Sequence, residues 1–143
     1  MARLRHYFLY HNPVTMGRDF RGPVAASGLL STDKVGVAEQ AINDGGIIWC
    51  VGRENPKDKR YYLYQRVIAQ NSKYNRPDEG FRITVIGKPT YPLNAERDIT
   101  DTPYFPQVKK LISLGLQTLS SREVIAAFET IYGEELDKLD RQE

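Results

Sequence analysis

Residues 46–69 constrain the fold more than any other stretch. Gly46-Ile47-Ile48-Trp49-Cys50-Val51-Gly52 and Tyr61-Tyr62-Leu63-Tyr64-Gln65-Arg66-Val67-Ile68-Ala69 are two apolar runs joined by a short basic turn. β-Branched and aromatic side chains suit a pleated, half-buried surface, so the pair predicts two strands of one sheet. Ile47 to Gly52 is apolar without alternation, which predicts a short strand covered on both faces. Arg60 to Ala69 reads as a strand with Tyr61, Leu63, Val67 and Ala69 on one face and Tyr62, Tyr64, Arg66 and Ile68 on the other. The intervening turn carries Asn55-Pro56 among charged residues and belongs at the surface.

The rest of the chain is arranged around this pair. Leu4 to His11 alternates, with Leu4, His6, Phe8 and Tyr10 opposite Arg5, Tyr7, Leu9 and His11, and Asn12-Pro13 ends the strand. Val14 to Leu30 keeps no period and reads as a long ordered loop. Ser31-Thr32-Asp33 is a helix start, Val35, Ala38, Ala41 and Ile42 share one helical face, and Asn43-Asp44-Gly45-Gly46 stops it. Phe81 to Ile86 is a further strand. Tyr91 to Phe105 is irregular with one short strand expected, and Pro106 opens a brief helix through Val108, Leu111 and Ile112. Ser120 and Glu123 form a capping box for a last helix with Val124, Ala127, Phe128 and Ile131 inward, and Gly133 is its expected stop. The expected organisation is a single domain over residues 1–133 with an acidic tail at 134–143.

At 143 residues the chain can bury one core of ordinary size. No apolar run approaches the roughly 20 residues of a membrane helix, and the first residues lead into a strand rather than a signal-peptide core, so no membrane partner is expected. A single cysteine excludes an internal disulfide and agrees with a reducing cytoplasm. The net charge of +2 is unevenly spread, −4 from Ser120 onward and +6 before it. A positive body suits a polyanion, and it serves solubility equally well.

The order strand, long loop, helix, three or four strands and terminal helices leaves too little chain for repeated parallel crossovers. It predicts an α+β fold, a small half-open mixed β-barrel of about five strands with flanking helices. A helix leading into Gly46-Ile47-Ile48-Trp49-Cys50-Val51-Gly52, followed by Tyr61-Tyr62-Leu63-Tyr64-Gln65-Arg66-Val67-Ile68, resembles the PUA-like superfamily, in particular its EVE-like and nucleotide-modification-associated branches. The similarity spans roughly residues 4–112, with Asp44-Gly45-Gly46 where those domains carry Gly-Asp. The resemblance implies a DNA- or RNA-binding module, commonly one that holds a flipped, chemically modified base in an aromatic pocket at the barrel mouth. On that reading the chain binds DNA in preference to RNA, without catalysis, in the setting of bacterial or phage restriction and base modification.

The residues that fit such a role are few. Trp49 is either a base-stacking wall or a core residue, and Tyr104, Phe105 and Phe20 would complete a cage around a base. His11-Asn12 ends the first strand, where these barrels open; Asn12 offers a donor and an acceptor, and Thr15 adds a hydroxyl. Phosphates would fall to Arg18 and Arg21 in the long loop, ahead of Arg53, Lys57, Lys59 and Arg60 in the hairpin, where Glu54 and Asp58 supply local ion pairs. His6, His11 and Cys50 lack metal-ligand spacing, and Gly45-Gly46 precedes a strand, so neither a metal nor a cofactor is expected. Two other functions remain open: an enzyme acting on a nucleotide or base through Asp98, Asp101 or a histidine, and a protein-interaction module that docks through the tail with Leu136 and Leu139.

Overall fold

The computed structural model describes residues 5–11, 27–53, 57, 59–92 and 95–141. Among them the elements run β1 (His6–His11), β2 (Leu29–Thr32), α1 (Val35–Asp44), β3 (Ile47–Gly52), β4 (Tyr62–Tyr74), a 3-10 turn (Pro77–Glu79), β5 (Ile83–Pro89), β6 (Arg97–Asp98), α2 (Phe105–Lys109), β7 (Gln117–Thr118) and α3 (Arg122–Arg141). The sheet has the order β2-β5-β4-β3-β1-β7, and β6 pairs with β4. β1 runs parallel to β3, and the other pairs are antiparallel. The sheet curls into a half-open barrel, the expected α+β architecture with more strands than expected.

Each face of the sheet has its own core. One is built from Tyr7, Ile48, Cys50, Tyr64, Val67, Ile83 and Val85 and is covered by Ala38 and Ala41 of α1. The other gathers Phe8, Ile47, Trp49, Val51 and Leu63 under Val108 of α2 and Val124, Phe128 and Ile131 of α3. All six residues of β3 are buried, because helices lie on both sides of it. α1 ends on Gly45, at φ 60, whose N–H bonds back to the helix.

Several local expectations give way to tertiary context. Ser31 and Thr32 lie in β2, opposite Thr84 and Ile83 of β5, rather than opening a helix. α1 starts after Lys34 with no side-chain cap, although Thr32 Oγ1 accepts the Lys34 N–H at 3.1 Å. β4 continues through Gln70–Tyr74, a polar stretch held in the sheet by pairing with β5. The pairing of β3 with β4 shifts between Cys50 and Val51, which face Gln65 and Leu63, so Tyr64 is an extra residue on β4. The bulge breaks the expected alternation: Leu63 joins the core of Trp49, while Tyr64 and Val67 join the opposite one.

At α3 the capping hydroxyl is that of Ser121, which accepts the Val124 N–H at 3.3 Å, one residue beyond the expected Ser120. Gly133 does not stop the helix. α3 runs on to Arg141 because Arg97 binds Glu134 and Glu135 at 3.0 Å each, and Lys138 binds Glu135 at 3.2 Å. Residues 134–141 of the expected acidic tail thus form a helical extension tied down by Arg97.

Candidate functional site

The half-barrel leaves a hollow where β1 and β2 approach each other. It has a volume of about 560 Å³. Leu9, Tyr10 and His11 of β1 form one side and Leu29–Thr32 of β2 the other. Asp33 and Lys34 follow β2 at the rim, and residues 112–115, between α2 and β7, close a third side. β1 and β2 have no pairing with each other among the described residues, so the cavity occupies the seam that a closed barrel would zip shut.

Its chemistry is mixed. Leu9, Leu30 and Ile112 present apolar walls. The ring of Tyr64 reaches the same space because of the β4 bulge, and the His11 imidazole meets it edge-on with 6.4 Å between centroids. Both side chains are almost fully buried. Cys50 lies beside Tyr64, and burial pushes its thiol up to about 12 against a hydrogen bond from Tyr64, so it is an inert apolar neighbour. Polar groups collect on the β2 side. Ser31 and Thr84 hydroxyls are 3.0 Å apart, Asp33 Oδ1 accepts the Arg82 N–H at 3.1 Å, and the Lys34 chain passes Gly115, whose φ is +72. Leu29 and Leu114 stand exposed at the rim.

Trp49 is not part of this hollow. It is fully buried on the opposite face, its indole N–H donates to His6 Nδ1 at 3.0 Å, and its ring packs against Phe128 and Tyr132 at 5.6 and 6.2 Å. The Arg66 guanidinium stacks on it at 5.3 Å. Fully buried, with its N–H bonded and two rings and a guanidinium packed against it, Trp49 is a core residue, and the expected base-stacking wall is withdrawn. Tyr104 is buried in the same core with its edge toward Phe128, so it cannot form a cage around a ligand in the seam.

Phe105 is half-buried and packs on Tyr61 at 5.2 Å, and Tyr61 in turn packs on Tyr10 at 6.0 Å. Arg53 donates to the Tyr10 hydroxyl at 2.7 Å and lies over the Tyr61 ring at 5.5 Å. Lys57 and Lys59 are exposed. Arg60 is committed elsewhere: its guanidinium binds Asp98 at 2.7 Å and takes Asp101 with two further contacts. That arrangement removes Arg60 from the expected phosphate-binding group and gives Asp98 and Asp101 a structural role. Burial works to raise the Asp98 carboxyl, yet Thr100 and Arg60 hold it below the usual carboxylate range. Asn12, Thr15, Arg18, Phe20 and Arg21 lie outside the described residues.

Sequence reasoning located His11 and missed Tyr64, Lys34 and the 112–115 segment. The Gly28 and Gly115 positions, both at positive φ beside the hollow, were the available signal for sharp backbone turns there. No group of three His, Cys, Asp or Glu side chains able to hold a metal occurs among the described residues, and none of their helices is long and apolar enough to cross a membrane. The fold and hollow define an α+β half-barrel with a seam pocket. Compared with protein-family models and with curated proteins, the sequence matches none significantly.

Proposed function

We propose that this chain is a non-catalytic nucleic-acid-binding module of the PUA-like kind, in which a flipped or modified base, in DNA by preference, enters the seam cavity. It would serve a bacterial or phage restriction or base-modification system in the cytoplasm. The observation that carries the reading is the cavity itself, with the rings of His11 and Tyr64 on one wall and the end of β2 with Asp33 and Lys34 on another. Its volume lies within the roughly 300–1,000 Å³ of small-ligand pockets. A base is flat and apolar on its faces and polar at its edges, which is the division of chemistry found here.

Magnitudes favour a base that is already loosened. Stacking on an aromatic contributes about 1–3 kcal/mol, and extruding a base from a duplex costs a few kcal/mol. One wall of rings therefore offsets extrusion only when pairing is weak, so single-stranded or damaged sites bind before intact duplex. The other two functions find less support. Asp98 and Asp101 are held by Arg60 and do not line the cavity, and Glu134 and Glu135 are already engaged by Arg97.

The test is a titration followed through the ring resonances of Tyr64 and His11. The probes are short single- and double-stranded oligonucleotides carrying plain cytosine, methylcytosine, hydroxymethylcytosine or methyladenine. A modified single strand is expected to shift both rings and to lose affinity at least tenfold in Leu114→Trp, which fills the mouth from an exposed position. If no oligonucleotide moves Tyr64, or if the blocked variant binds as well as the parent, the reading is wrong.

A further inference from the structure

The cavity has a neighbour that it does not need in order to hold a single base. Tyr10, Tyr61 and Phe105 form a ladder of half-buried rings with Arg53 laid over Tyr61. Tyr10 belongs to both features, since it also lines the hollow. The segment from Phe105 to Ile112 likewise starts on the ladder and ends on the cavity wall, and between those two contacts it exposes Lys109 and Lys110.

Partly exposed rings interleaved with cations form a stacking platform beside an electrostatic track, the arrangement that tracks a nucleic-acid backbone without reading sequence. We propose that the Tyr61–Phe105 ladder with Arg53 is a second subsite, stacking the nucleotide next to the one in the cavity, with Lys109 and Lys110 on the intervening phosphates. The ligand is then a single strand of nucleic acid rather than a free nucleotide. This inference rests on the base-binding reading of the cavity and extends it to the polymer.

The experiment compares each base of the same panel as a nucleoside monophosphate and within a single-stranded hexanucleotide, by calorimetry and by Tyr64 ring shifts. The hexanucleotide is expected to bind about tenfold tighter or more, the gain of one further stacked base. Tyr61→Ala and Phe105→Ala each remove that gain and leave monophosphate affinity unchanged. Tyr61→Leu, which preserves packing without a flat ring, removes it too, so a loss through misfolding is separable. Equal affinity for the two probes, with Tyr64 still shifting, overturns the second subsite and leaves the cavity reading standing. Ladder-dependent hexanucleotide binding without any Tyr64 shift keeps the ladder and overturns the cavity. No binding of either probe overturns both.

Discussion

The indole N–H of Trp49 donates to Nδ1 of His6 at 3.0 Å, which requires the imidazole to be neutral and to carry its proton on Nε2. A residue read as a possible ligand wall is instead tied down by a titratable group. Burial holds His6 below its ordinary value of 6.5; the Glu129 carboxylate opposes this and the Arg66 guanidinium assists it.

That depression links stability to pH. Because the folded state favours neutral His6, the unfolded chain takes up a proton first as the pH falls. The contribution is complete above pH 6.5 and is lost as the pH drops through the lowered folded-state value. Urea unfolding below pH 6.5 is expected to show a falling stability that His6→Gln flattens. An unchanged slope in His6→Gln would refute the assignment.

Gly46 is required by a neighbour rather than by its own backbone. A Cβ there would stand 2.5 Å from Cε1 and 2.8 Å from Cδ1 of Tyr7, a fully buried ring whose hydroxyl donates to Asp44 at 2.8 Å. Gly46→Ala is expected to cost about 1–3 kcal/mol by overpacking. At Gly45 the space is open and the φ of 60 is one that Asn tolerates, so Gly45→Asn costs less. Chemical denaturation of the two variants gives the ranking, and the reverse order would show that the Tyr7 contact yields easily.

The C-terminal turn of α3 carries stability. Deleting residues 134–143 leaves Arg97 without either carboxylate partner and is expected to lower stability by roughly 2 kcal/mol. Glu135→Ala accounts for most of that loss because its side chain is 8% exposed; Glu134 at 51% accounts for little. Thermal melting decides it. A truncated chain that melts with the parent would show that these ion pairs add nothing to stability.

Much of the architecture was legible because it depends on local patterns. The alternation of β1, the unbroken apolar run of β3 and the Asp44-Gly45 helix stop each state their environment within a few residues. Ser31 and Thr32 misled because their capping preference is weaker than four paired positions with β5. The polar Gln70–Tyr74 stretch misled for a similar reason, since pairing along β5 extends a strand that its composition would end.

The candidate site was legible only at His11. Trp49 and Tyr64 are both aromatic residues in apolar strands, and nothing local tells which one faces an opening. The bulge turns Tyr64 to the face with the hollow, and α3 closes over Trp49.

Side-chain periodicity is a property of neighbouring residues, so the strands, the helix stop and the existence of a two-sided sheet were already contained in the order of the amino acids. The cavity joins residues 9–11, 29–34, 64, 81 and 112–115, which meet only after the sheet has curled and β1 and β2 have come within reach of each other. Pairing register and closure set that meeting, and both are decided by contacts between residues far apart in the chain.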